Sequence, residues 1–222
     1  MKQIVIFDFC ETLVNFQTAD AFVDFVREKL NNPELYAREK KSDKLRKSKF
    51  ISYLNILSLG KLSILKRIKL AQLKGIEMSK LEDIALQFYQ ERVKPQLIKK
   101  TIELLLQYKA EGMEIWLVSG GYGIYLKHFV QEYDVDHLIS SNINYKEGKA
   151  TGSLLGSDCM NNQKVRLFKK KISEITDDYE VVASFSDSKS DIPILRIAKE
   201  GYVVAKSKED WIKKNNFKLL MV

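Results

Sequence analysis

Three prolines and ten glycines in 222 residues are too few for long flexible linkers, and the chain contains neither an internal repeat nor a low-complexity tract. Two cysteines, Cys10 and Cys159, cannot build a disulfide framework and suit a reducing compartment. Long apolar runs are also missing. The run before Asp8 is only four residues, Ile4 to Phe7, without the long apolar region and small-residue cleavage site of a secretory signal. The longest largely apolar stretch, Phe50 to Gly60, has eleven residues. That is well short of the roughly 20 a membrane-spanning helix needs. A cytoplasmic location is the expectation.

What is present is a soluble globular composition with a lopsided charge. The net charge is +8, and residues 16–94 hold 17 Lys/Arg against 10 Asp/Glu, so nearly all of the surplus lies there. A basic region of this kind attracts nucleic acid, anionic lipid or a phosphorylated ligand, or is simply a solvated surface. No nucleic-acid recognition module accompanies it, so no nucleic-acid partner is expected.

The C-terminal half alternates between strand and helix patterns. Residues 95–111 have helical spacing, with Pro95 suited to a first turn. MEIWLV reads as a buried strand ending at Ser119, a helix follows over 121–133, and LISSNINY and ATGSLLG read as a hairpin turning through KEGK. Helix 162–175, strand 179–185, helix 192–200, strand 201–205, a short helix over 208–215 and a final strand complete the pattern. Such alternation predicts an α/β fold, a doubly wound, mostly parallel Rossmann-like sheet. Residues 16–94 interrupt it with helix after helix: 18–30, 33–47, 49–59, 62–73 and 79–93. The expected organisation is a core of 1–15 and 95–222 with an all-helical cap, 16–94, inserted after the first strand.

Ligands of open parallel sheets bind outside the carboxyl ends of the strands. Asp8, Ser119 and Asp187 fall at such ends, Lys164 near a helix start, and Asp191 four residues past Asp187. Each has a bland reading as a cap, turn or surface residue. Together they suggest phosphoryl transfer. Asp8 and Asp187 could hold a hard cation such as Mg2+. Asp8 could attack phosphorus, Ser119 and the amides of Gly120 and Gly121 could bind phosphate oxygens, and Lys164 could neutralise developing charge.

Four segments, in order, carry a resemblance: DFCETL (Asp8–Leu13), VSGGYGIYL (Val118–Leu126), TGSLLGSDCMNNQKVRLF (Thr151–Phe168) and FSDSKSDIPIL (Phe185–Leu195). They resemble the haloacid dehalogenase superfamily, in its phosphoserine-phosphatase-like subgroup with a helical cap, over nearly the whole chain. The resemblance implies a Mg2+-dependent phosphomonoester hydrolase with Asp8 as nucleophile. It implies that Asp8, the Cys10 carbonyl and Asp187 bind the metal, that Asp191 supports Lys164 and the metal's water, and that Ser119, Gly120 and Lys164 serve the phosphate.

The chain departs from that family at two positions. Where the family has a second Asp that protonates the leaving oxygen and then activates water, this sequence has Cys10. A thiol with a reference pKa of about 8.5 can donate a proton at pH 7 but is a poor substitute base. Three outcomes stay open: slow turnover assisted by Cys10 or Glu11; turnover of acyl or aryl phosphates, whose leaving groups need little protonation; or binding of phosphorylated ligands without catalysis. Where phosphoserine phosphatases carry a Glu that meets the substrate's amino group, Gln17 stands, which weakens phosphoserine as the substrate. The resemblance instead points to a small phosphorylated metabolite or a lipid-linked phosphate. The basic, amphipathic segment LSILKRIKLAQLK adds an expectation of weak membrane-surface association, against the alternative of an ordinary cap helix.

Overall fold

The computed structural model describes residues 1–48 and 63–222. The helix expected over 49–59 lies outside the described residues. Strand β1 (Lys2–Phe7) is followed by helices α1 (Thr18–Leu30), α2 (Pro33–Arg46), α3 (Ile64–Leu70), α4 (Met78–Phe88) and α5 (Lys99–Ala110). Then come β2 (Glu114–Tyr122), α6 (Gly123–Glu132), the hairpin β3 (His137–Lys146) and β4 (Lys149–Leu155), and α7 (Asn162–Ser173). The chain ends with β5 (Tyr179–Ser186), the single turn α8 (Ile192–Leu195), β6 (Glu200–Ala205), α9 (Asp210–Lys214) and β7 (Lys218–Met221).

The strands form one sheet in the order β4-β3-β2-β1-β5-β6-β7, parallel throughout except for the β3–β4 hairpin. This is the doubly wound α/β architecture. β1 lies at its centre and is buried on both faces, as its unbroken IVIF run requires. Alternate residues serve opposite layers: Val5 and Phe7 join one apolar cluster, Ile4 and Ile6 the other, with Trp116, Phe168 and Ile172.

Between β1 and α5 the described elements are helical. α1 buries Phe22, Val23, Phe25 and Val26, and α4 buries Leu81, Ile84, Ala85 and Phe88, each a stripe at helical spacing. These stripes do not close on a separate core. They join the cluster that holds Val5 and Phe7, with the Phe88 ring 5.4 Å from Phe22 and 5.2 Å from Tyr125 of α6. A second tie is made by main chain. Gly75 and Met78 donate to Ala150 and Gly148 of the hairpin, and Ala150 donates back to Ile76.

Several boundaries differ from the sequence-based expectation. The helix expected from residue 95 begins at Lys99, because Ile98 donates to the Leu13 carbonyl and Leu97 bridges to Val14, which draws this stretch out of helical conformation. The helix expected over 192–200 stops at Leu195, since Glu200 is taken up by β6 beside β5. Strand β2 runs on to Tyr122, so the second helix starts at Gly123 rather than 121. No described helix is long and apolar enough to cross a membrane. The segment expected to lie on a membrane surface packs partly against the protein where it can be followed. Lys69 turns inward to pair with Asp24 at 2.6 Å, Lys66 turns toward the sheet, and Leu70 and Leu73 are buried. Lys66 and Lys69 thus face protein; Leu62 lies outside the described residues.

A continuous core predicts a single unfolding transition. Both tryptophans, Trp116 and Trp211, lie in the α/β part, whereas far-UV circular dichroism also senses the inserted helices. Midpoints by fluorescence and dichroism should coincide in urea. Phe88→Ala should lower stability by about 3–5 kcal/mol while keeping them coincident. Separate midpoints would mean that the insert folds independently.

Candidate active site

Three strand ends and one helix build the site. β1 delivers Asp8, whose amide donates to the Phe185 carbonyl at 2.9 Å, and β5 delivers Ser186 and Asp187. β2 carries Ser119, fully buried. On α7, Lys164, Phe168 and Ile172 share one buried face at intervals of four, so the two apolar residues that seat the helix on the sheet also aim the lysine across the strand ends.

Lys164 Nζ donates to Asp8 Oδ1 at 2.8 Å and to Asp191 Oδ2 at 2.5 Å, and Ser186 Oγ donates to the same Asp191 oxygen at 2.6 Å. Asp191 thus fixes Lys164 and also lines the cavity itself. Burial opposes the charge on Lys164, but the Asp8 and Asp191 carboxylates outweigh it and hold the ammonium above its ordinary value. Asp187 is different. It pairs with no cation among the described residues, and burial, with Asp8 and Glu11 nearby, pushes its carboxyl up to about 8. Two of the three carboxylates thus share one lysine, and the third is left without it.

That imbalance tests the fit of a hard cation. Among the described residues no three acidic, His or Cys side chains converge as a ready cage. The oxygen donors lining the cavity are the Asp8 and Asp187 carboxylates, and Lys164 bonds only the first of these. This is the chemistry Mg2+ prefers, with the rest of its shell left to water and phosphate.

Cys10 lines the same cavity. Its sulfur lies 3.1 Å from Thr18 Oγ1 and 3.4 Å from the Thr18 amide, at the start of α1. Thr18 Oγ1 is in turn 2.7 Å from Tyr125 Oη, which accepts from the Tyr122 amide at 2.9 Å. The Thr18 amide donates to the sulfur and the Tyr122 amide to the phenol, while in the Cys10–Thr18 and Thr18–Tyr125 contacts either group can be the donor. Burial first, and the Asp8 charge second, push the thiol up to about 11.

The cavity, of about 310 Å3, is lined from the α/β part by Asp8, Cys10, Ser119, Gly120, Met160, Lys164 and Asp187. From the insert it is lined by Gln17, Asp20, Arg46, Leu65 and Lys66. Of the candidates read from the sequence, Asp8, Cys10, Gln17, Ser119, Gly120, Lys164, Asp187 and Asp191 line this cavity, whereas Glu11 and Gly121 do not. Gln17 also donates to Glu11 at 2.6 Å, and Arg46 to Asp20 at 2.6 Å. One detail differs from expectation: Gly121 is still in β2, and its amide is occupied by Ser119 Oγ at 3.1 Å, so it is not a free phosphate donor. Sequence reasoning missed Arg46, Asp20, Thr18 and Tyr125, which carry no spacing signal. It also missed the site role of Lys66, which looks no different in sequence from its neighbour Arg67.

A family model of haloacid dehalogenase-like hydrolases matches residues 5–196. No curated protein matches the sequence. Among solved structures, a protein with unknown function from Bordetella pertussis Tohama I superposes with a TM-score of 0.83 at 18% identity, over 99% of this chain and 98% of that one. A phosphoserine phosphohydrolase-like protein from Francisella tularensis subsp. tularensis SCHU S4 gives 0.66 at 18% identity, over 99% and 95%. A phospho-aspartyl intermediate analogue of phosphoserine phosphatase gives 0.64 at 22%, over 99% and 93%. At these identities the likeness is one of fold.

The cysteines offer a direct check of the electrostatics. With Cys10 at about 11 and buried Cys159 pushed to about 12, both are thiols at neutral pH. Intact-mass analysis should find neither carbamidomethylated by iodoacetamide at pH 7.5 on a timescale that labels both in urea. Rapid labelling of Cys10 in the folded protein would contradict the raised value.

Proposed function

This chain belongs to the haloacid dehalogenase-like hydrolase family, and we propose that within it the protein is a Mg2+-dependent phosphomonoester hydrolase working through an aspartyl-phosphate on Asp8. The observation that carries this reading is the Asp8–Lys164–Asp191 triad at the strand ends, with Ser119 and Asp187 around one cavity. Residues 1–15 and 95–222 form the catalytic core in this reading, and 16–94 the cap that closes over it.

Asp8 attacks phosphorus and the bond to the leaving oxygen breaks. Water then cleaves the aspartyl-phosphate, restoring Asp8 and releasing orthophosphate. Lys164 keeps Asp8 oriented and offsets charge on the transferring group, with Asp191 and Ser186 fixing the lysine. Ser119, whose oxygen accepts from Gly121, has its hydroxyl hydrogen left for a phosphate oxygen, and the Gly120 amide lies beside it. Mg2+ on Asp8, Asp187 and the Cys10 carbonyl would supply charge neutralisation for the phosphoryl oxygens.

The leaving group must then manage with Cys10. A thiol near 11 gives up its proton reluctantly, which favours aryl or acyl phosphates over alkyl esters. The cavity volume, with Gln17, Asp20 and Arg46 at its outer wall, suits a small phosphorylated metabolite better than a lipid-linked one. A second reading has one observation in its favour: with Cys10 at the acid/base position, the same site could bind phosphorylated ligands with little or no turnover.

Phosphate release separates the two. The native protein with Mg2+ should hydrolyse aryl and acyl phosphates, and Asp8→Asn should not. Cys10→Asp should speed alkyl-ester hydrolysis by about 10²-fold, the usual worth of general acid–base help. Turnover by Cys10→Asp alone would favour the binding reading; equal rates for native and Cys10→Asp on alkyl esters would remove Cys10 from the argument.

Metal binding can be followed without turnover. In the metal-free protein Asp187 holds its proton up to about pH 8 although its ordinary value is 3.8, so this group's contribution to stability is lost as pH rises through that window. Mg2+ competes with that proton. The Mg2+-induced rise in Tm should therefore be larger at pH 8 than at pH 6, and Asp187→Asn should abolish most of it at both. A rise independent of pH and of Asp187 would place the metal elsewhere.

A further inference from the structure

We propose that Lys66, a residue of the helical insert, is a positioning residue for the phosphate-binding loop: it holds the Gly120 carbonyl, and through that peptide it orients the Ser119 hydroxyl. The proposal rests on the phosphatase reading for its consequence in catalysis, but its geometry and its binding test do not.

Lys66 lines the cavity and, by position alone, reads as a ligand for substrate phosphate. Its donors argue otherwise. An ammonium has three hydrogens, and Lys66 Nζ has three acceptors: the Gly120 carbonyl at 2.5 Å, Ser141 Oγ at 2.9 Å and Asp158 Oδ1 at 2.5 Å. None is left over for a substrate. The acceptors are equally committed. Ser141 donates to Asp158 and accepts from the Cys159 amide at 3.1 Å as well as from Lys66. Asp158 is buried, which alone would raise its pKa, yet Lys66's charge and hydrogen bonds hold it below the ordinary carboxylate value. Lys66 also lies 5.1 Å from the centre of the Tyr122 ring. The lysine is thus a strut between the insert and the end of β2.

What the strut holds follows from peptide geometry. The Gly120 C=O and the Gly121 N–H belong to one planar trans unit and point in opposite directions. Lys66 takes the carbonyl; Ser119 Oγ takes the N–H at 3.1 Å. Turning the peptide breaks both bonds at once. While it is held, the Ser119 oxygen has an N–H donor on one side and its own hydrogen is free for a phosphate oxygen. The other side of the loop is packed by Met160: a Cβ added at Gly120 would lie 2.3 Å from Met160 Sδ. Met160 follows Asp158 by two residues, so the segment that pairs with Lys66 also packs against the glycine.

The insert therefore does more than cover the cavity. α3, which carries Lys66, must be seated for the peptide to be held, and seating it couples closure of the insert to the orientation of Ser119.

The test uses orthophosphate binding by calorimetry, and kcat and KM for p-nitrophenyl phosphate with Mg2+, on the full chain. Lys66→Met should weaken orthophosphate binding about tenfold and lower kcat by at least as much, and Lys66→Arg should recover part of both. Asp158→Asn, which leaves the lysine but loosens its anchor, should fall between. The decisive readout is coupling. Ser119→Ala weakens orthophosphate binding in the native background but should add little to Lys66→Met, because both act on the same hydrogen bond to phosphate. Additive losses would overturn the proposal, as would a folded Lys66→Met with native orthophosphate affinity or a native protein that binds no orthophosphate. A loss seen with p-nitrophenyl phosphate but not with orthophosphate would overturn it as well, since Lys66 would then meet the leaving group. If the native protein hydrolyses nothing while the coupling in orthophosphate binding is found, the phosphatase reading fails and the positioning role stands.

Discussion

Three carboxylates brought to the ends of adjacent strands, with one lysine among them, is the constraint around which the site is organised. Asp8, Asp187 and Asp191 cannot all be ionised and buried side by side without compensation. Lys164 pairs with two of them, Asp8 and Asp191, although burial still holds the Asp8 carboxyl above its ordinary value. To reach them it needs a helix seated by Phe168 and Ile172, a hydrogen bond from Ser186 to fix Asp191, and a central strand buried deeply enough to keep water from screening the pair. The third carboxylate is left short of positive charge. The sheet, α7 and the β5 turn read as one device for holding that deficit at a defined place.

The insert enters this arrangement as a participant. Its aromatic stripes merge with the layer under β1, and its polar residues reach the cavity in pairs already satisfied on the protein: Arg46 with Asp20, Lys66 with Asp158, Gln17 with Glu11. Pairing of this kind lowers the affinity of each cation for a stray anion. It also explains how a strongly basic region can surround an acidic centre without collapsing onto it.

Much of this was legible in the sequence because the residues concerned sit where topology dictates. Asp8 and Ser119 each terminate an apolar run, Asp187 follows one, and a parallel sheet puts such ends together. Lys164 was legible from its place near a helix start in the third segment of the family resemblance. What was not legible depended on directions that spacing does not encode. Lys66 and Arg67 are adjacent cations on one helix, and only the packing of Leu70 and Leu73 decides which of them turns to the sheet. Thr18 and Tyr125 are 107 residues apart, and their shared hydrogen bond with Cys10 appears only once α1 and α6 are packed. The helix limits at 99 and 195 slipped for a related reason: Leu13 and β5 competed for backbone groups that local propensity would have given to a helix.

The hairpin of β3 and β4 has a bearing beyond its strand pairing. Its main-chain bonds to residues 75–78 fix one flank of the insert, while the flank carrying Lys66 is fixed by side chains. Main-chain ties are indifferent to side-chain identity; their geometry is set by the length and twist of the hairpin. Lineages of this architecture could therefore retune the shape of the cavity by adding or removing residues in the turn at 147–148, with no substitution at any residue that lines it. In such a scaffold, chemistry and selectivity would be inherited through different kinds of mutation: point changes for the one, small insertions and deletions for the other.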